Sequence, residues 1–168
     1  MAEETQPRWE GKLTAELKGR TSDQVWPFLA DFCNLHKLLP TLDTCHQVEG
    51  VPGQPGLVRY VASSTFGDDS EPSKIKWANE RLLMMDPTDK CFSYEVLDNN
   101  LGIKSNVATI RVMPMNDGDG KMVGCTIEWS FVADPVEGWG FQDMRSFFDF
   151  CLQSMAKEIE NAIQETSG

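Results

Sequence analysis

The chain contains no run of lysine or arginine. Its 15 Lys and Arg stand against 26 Asp and Glu, a formal net charge of −11. A nucleic-acid binder needs a cation at each phosphate contact, and an anionic leaflet repels a chain of this sign. Nucleic acid and charged membrane surfaces are therefore not expected partners. No apolar stretch approaches the ~20 residues of a membrane span, so membrane insertion is not expected either. The five cysteines, Cys33, Cys45, Cys91, Cys125 and Cys151, are odd in number and include no CxxC pair. No secretory leader precedes them, since Met1 to Pro7 is acidic and polar. These absences predict reduced, buried thiols in a cytoplasmic protein.

Recognisable catalytic motifs are also scarce. There is no Ser-His-Asp set, no Cys-His pair with an orienting acid and no dinucleotide fingerprint. His36 and His46 lack partners at metal-ligand spacing, so they read as surface or helix-cap residues and no metal is expected. The segment Pro52 to Gly56 has no GK[ST] ending and no following helix, and reads as a hairpin turn. Asp117 and Asp119 flank glycines but supply too few ligands for a calcium loop.

What the chain does have is periodicity. Its 168 residues show no composition break or repeat. A chain of this size buries roughly 70% of its unfolded surface without a disulfide or metal. We expect a flexible N-terminus over 1–7 and one domain over 8–165. Trp9, Gly11, Leu13, Ala15 and Leu17 alternate with Glu10, Lys12, Thr14 and Glu16, as in a half-buried strand. Thr21 or Ser22 can cap a helix running through Ala30, and a second short helix is predicted over Phe32 to Leu39, stopped by Pro40. Six more strands are expected near 43–50, 56–64, 74–84, 90–98, 104–114 and 121–132, separated by turn residues. Within the last, Val123, Cys125, Ile127, Trp129 and Phe131 share a face. In 90–98, Tyr94 points inward with Phe92 and Val96. From about 138 to 165, Phe141, Met144, Phe148, Cys151, Leu152, Met155, Ile159 and Ile163 recur at helical spacing. The fold class is α+β. A seven-stranded antiparallel sheet can be covered by one long helix only if it curls, and curling leaves space suited to an apolar ligand.

Several stretches carry a resemblance. They are W9-EGK, D31-F-x-NLHK, the P-x-L of Pro40 to Leu42, C45-x-x-VEG, G56-x-VRYV, the WA-x-E of Trp77 to Glu80, ATI after Asn106, and the WSF of Trp129 to Phe131. V-EG at Val136 to Gly138 and LQ-x-x-A-x-EI at Leu152 to Ile159 extend the likeness over nearly the whole chain. With this element order, they resemble the plant pollen-allergen and START-like helix-grip superfamily of polyketide cyclases, dehydrases and lipid-transport proteins. Within it the closest likeness is to the lachrymatory factor synthase family. The resemblance implies a helix-grip fold: a curved seven-stranded sheet around a long C-terminal helix, with two short helices after the first strand. It also resembles the fold class of abscisic acid receptors, but their gate and latch motifs are absent; the corresponding loops read TFGDDSEPS and NNLGIKS.

The lachrymatory factor synthase family isomerises a small alkenyl sulfenic acid to a thial S-oxide without a cofactor. The resemblance puts its essential Arg and Glu on Arg59 and Glu80, and a cavity Tyr on Tyr94. A second cavity Tyr is replaced by Asn106, and a Trp of the final helix by Met155, which alters the cavity's shape and stacking. Read from the residues alone, where alternation around Glu80 is ambiguous, Arg59 and Glu80 read first as a structural cross-strand ion pair and second as a site. The expected ligand contacts are Tyr94, Asn106, Trp129, Phe148 and Met155. The function expected is cytoplasmic binding of a small, largely apolar molecule. The alternatives are a cofactor-independent isomerase, and an interaction module that uses the 65–73 loop as a lid.

Overall fold

The computed structural model describes residues 8–39, 42–63 and 75–167. The N-terminal segment 1–7, the helix stop at Pro40 and the proposed lid over 65–73 lie outside the described residues. The strands are β1 (Trp9–Lys18), β2 (Thr44–Glu49), β3 (Val58–Ser63), β4 (Lys76–Asp86), β5 (Cys91–Asn99), β6 (Asn106–Asn116) and β7 (Met122–Ala133). Helix α1 (Ser22–Ala30) and a 3₁₀ segment, Phe32–Lys37, follow β1, and α2 (Phe141–Ser167) closes the chain. All neighbouring strands pair antiparallel, in the order β1-β7-β6-β5-β4-β3-β2. This is the helix-grip architecture.

Local chemistry accounts for the element ends. Thr21 Oγ1 accepts from Gln24 N at 3.1 Å while Gln24 Oε1 accepts from Thr21 N at 2.8 Å, a reciprocal cap that starts α1. The second predicted helix is a shorter 3₁₀ turn, kinked at Asn34, whose side chain donates to both carboxylate oxygens of Asp31. At the start of α2, Asp143 accepts from Gly140 N at 2.7 Å and satisfies an end donor that the helix cannot.

The sheet's inner face and α2 make the core. Leu13, Ala15 and Leu17 of β1 and Cys125, Ile127, Trp129 and Phe131 of β7 are buried, as their alternation predicts. Gly11 faces Phe131 across the strand pair, and a Cβ there would stand 2.6 Å from the ring. Only glycine lets the ring lie flat over β1. Val123 differs from expectation and is exposed. It precedes Gly124, where the pairing with β1 ends at Lys18.

Helix α2 has 27 residues, about 40 Å of length, enough to cross the whole sheet. Met144, Phe148, Cys151, Leu152, Met155, Ile159 and Ile163 form its buried stripe. Burial of each large side chain stabilises the fold by about 1.5–3 kcal/mol. Arg20 forks onto Glu160 at 2.8 and 2.6 Å and ties the far end of α2 to the turn after β1.

Candidate functional site

A polar cluster interrupts this apolar interior. Arg59 on β3 and Glu80 on β4 are direct cross-strand partners, so both side chains leave the same face of the sheet. The ambiguity of β4 has a physical source: apolar side chains stand on both of its faces, Ala78 and Leu82 on one, Trp77 and Leu83 on the other. The register with β3 is unbroken from Lys76 to Arg81, and Ala78, Glu80 and Leu82 point inward.

Arg59 is only 3% exposed. Its Nε and Nη2 each lie 2.8 Å from Glu80 Oε1. Nη1 donates to the carbonyl of Phe32 at 2.7 Å, using an acceptor freed at the junction of α1 and the 3₁₀ segment. The guanidinium carbon lies 3.8 Å from the centroid of Phe32 and 5.1 Å from that of Tyr94. A buried charge of this kind is stable only when paired and hydrogen-bonded. Arginine has five N–H donors; three are engaged here among the described residues.

The cluster opens onto a cavity of about 120 Å³ between the sheet and α2. Leu35, Leu39, Val61, Trp129, Phe148 and Cys151 supply much of its wall, with Arg59, Ser63, Lys76, Glu80 and Tyr94 as polar members. A second chamber of about 20 Å³ lies toward α1 and includes Asp31, Phe92 and Met155 in its lining. Arg59, Tyr94 and Trp129 border both spaces. Trp129 stacks on Phe148 with ring centroids 5.0 Å apart and planes at 22°.

The predicted residues therefore converge unevenly. Arg59, Tyr94 and Trp129 border both chambers, Glu80 and Phe148 the larger one, and Met155 the smaller one. Asn106 is buried opposite Ala133 but lines neither, and its Oδ1 finds no donor among the described residues. Sequence reasoning missed Cys151, Leu35 and Leu39 as cavity residues. The α2 stripe had placed Cys151 inward; no periodic signal marks Leu35 in its short 3₁₀ turn.

Burial sets the protonation of the cavity's weaker acids. It raises the Tyr94 hydroxyl well above the usual tyrosine range, reinforced by Glu80's charge and opposed by Arg59, so Tyr94 stays a neutral donor. All five cysteines are free. Burial pushes Cys125 up to about 11, with a smaller contribution from Glu160, and Cys151 up to about 12, with a smaller contribution from Glu80. An unfolded thiol titrates near 8.5. The stability from these neutral thiols is thus fully present below pH ~8.5 and is lost as pH rises toward the folded values. We expect the urea midpoint to fall above pH ~8.5, with a slope of about 1.4 kcal/mol per pH unit for each thiol. Replacing Cys125 and Cys151 together by Ala should flatten that slope. A slope unchanged by the replacement would refute this assignment.

Among the described residues, no three His, Cys, Asp or Glu side chains converge as a metal site would need. Residues 8–160 match the family described as polyketide cyclase / dehydrase and lipid transport. A curated relative, MLP-like protein 31 of Arabidopsis thaliana, is 29% identical over 116 residues. That match covers 68% of this chain and 64% of the relative's length. Among solved structures, the protein XoxI from Bacillus cereus superposes with a TM-score of 0.71 at 19% identity, covering 95% of this chain and 98% of its own. An uncharacterised protein from Bacillus thuringiensis gives 0.68 at 19% identity, covering 91% and 97%. At this identity the two structures establish the fold alone.

Proposed function

Since this chain belongs to the polyketide cyclase / dehydrase and lipid transport family, we propose that its cavity binds a compact, largely apolar molecule carrying an oxygen acceptor, anchored on Arg59. The observation that carries this reading is the state of Arg59. It is buried, its plane is fixed by Glu80 and Phe32, and it borders an otherwise mainly apolar cavity. A guanidinium stays protonated and forks onto oxygen. Size narrows the ligand further. A cavity of roughly 150 Å³ holds benzene, so about 120 Å³ suits a molecule of about five or six non-hydrogen atoms. Free thiols fit a reducing cytoplasm. Among the described residues, no helix is long and apolar enough to cross a membrane.

Native mass spectrometry of the protein as purified tests the reading. The expected result is a bound fraction heavier by the mass of one compact molecule, lost in Arg59→Met. A bound long-chain lipid would contradict it, since no such chain fits the volume.

One observation favours a second reading, isomerisation by proton transfer. Glu80 shares the cavity with Arg59, so a base and an oxygen anchor face the same space. The carboxylate can take a proton from carbon while Arg59 stabilises charge developing on oxygen. The conversion of a sulfenic acid to a thial S-oxide, implied by the sequence resemblance, is one reaction that such a pair could serve. A carrier needs only the cavity and anchor; an isomerase also needs Glu80.

A further inference from the structure

Three side chains on the wall shared by the two chambers can donate a hydrogen bond to a ligand. Arg59 can only donate, and Tyr94 keeps its hydroxyl proton. Trp129 brings an indole N–H that also can only donate. Trp129 is 5% exposed, and its Nε1 has no hydrogen-bond partner among the described residues. An unpaired buried donor costs about 1–3 kcal/mol, so an acceptor is expected at this position. The residue belongs to the wall shared by both chambers, beside Arg59 and Tyr94. The smaller chamber, about 20 Å³, exceeds the ~10–15 Å³ that a water-sized group occupies. Its lining carboxylate, Asp31, accepts from Asn34 Nδ2 on both oxygens, at 2.9 Å each.

We propose that the indole N–H of Trp129 is a second ligand anchor and selects molecules whose polar end is an oxygen that only accepts, such as a carbonyl, S-oxide or carboxylate. This rests on the cavity-binding reading above and specifies its ligand class. The apolar body occupies the larger chamber against Phe148 and Val61. Its oxygen reaches the shared wall and takes hydrogen bonds from Arg59 and Trp129. Alcohols and amines are disfavoured at this end, because Arg59 and Trp129 offer their O–H or N–H no acceptor. The stacking of Trp129 on Phe148 fixes the indole plane, so the N–H direction is set before the ligand arrives.

The test uses two probes of one shape. Cyclopentanone presents a carbonyl oxygen; methylenecyclopentane replaces that oxygen with CH₂. Binding is followed by the indole N–H resonance of Trp129 in ¹⁵N-labelled protein and by titration of Trp129→Phe, which keeps an aromatic, though smaller, side chain and deletes the donor. Cyclopentanone should shift the Trp129 resonance downfield and saturably, and the substitution should weaken its binding about tenfold. Methylenecyclopentane should bind both proteins alike, which also shows that the variant's cavity is intact. A Trp129 resonance unmoved by bound cyclopentanone, or equal affinity in the variant, would overturn the anchor and leave the cavity reading standing. If neither probe enters the wild-type cavity, both readings fall.

Discussion

Replacing Arg59 by Met should lower folding stability by about 3–5 kcal/mol and weaken binding of an oxygen-bearing probe at least about tenfold. The stability loss comes from Glu80. Its side chain is only 13% exposed and its Oε1 takes two charge-assisted hydrogen bonds from Arg59. Without the guanidinium, that carboxylate is left buried without its cation, and the Phe32 carbonyl loses its donor. Removing both charges has a different result. An apolar replacement of a whole buried pair is often neutral or stabilising. Arg59→Met combined with Glu80→Leu should therefore recover most of the lost stability while still binding cyclopentanone at least about tenfold more weakly than wild type. Urea denaturation and ligand titration of the three proteins separate the roles. A double variant that binds as well as wild type would show the pair to be structural only.

Glu80→Gln tests whether the site does chemistry. The amide oxygen can still accept from Arg59, so the fold and probe binding should survive, with a cost of about 1–3 kcal/mol for the lost charge. The isomerase reading predicts that the wild-type protein accelerates exchange of the α-protons of cyclopentanone with deuterium oxide. In that step Glu80 breaks the α C–H bond and takes the proton. The electron pair moves to the carbonyl oxygen beside Arg59, the Glu80 carboxyl exchanges its proton for a deuteron from deuterium oxide, and that deuteron returns to carbon. Deleting a positioned general base typically costs 10²–10⁴-fold in rate, so Glu80→Gln should reduce exchange to near the uncatalysed level. Proton NMR of the ketone gives the rate directly. Bound cyclopentanone that exchanges no faster than free ketone would eliminate the isomerase reading and leave the carrier.

Much of the frame was legible in the chain because the signals were local. Period-two alternation in Trp9–Lys18 and most of Met122–Ala133, and the three-and-four spacing from Phe141 onward, follow from burying one face of each element. Thr21 was legible as a cap because its chemistry is local too. Glu80 was not legible from pattern, since both faces of β4 carry apolar side chains, Ala78 and Leu82 on one and Trp77 and Leu83 on the other. Its pairing with Arg59 depends on the hydrogen-bonded register of two strands separated by a long connection. The roles of Leu35 and Leu39 depend on how a short 3₁₀ turn folds back over β2 and β3, which no sequence period records. Asn106 shows the limit from the other side: the resemblance makes it a cavity position, and it is buried, yet it lines neither chamber.

Diffraction from crystals soaked in tetrahydrothiophene 1-oxide tests the central claim most directly, because sulfur's anomalous signal locates the ring independently of its oxygen. The account predicts a sulfur peak between Val61, Trp129 and Phe148, with the S-oxide oxygen within hydrogen-bond distance, about 3 Å, of Arg59. Saturated crystals with no sulfur in the cavity, or with the ring inside and its oxygen turned away from Arg59, would contradict it.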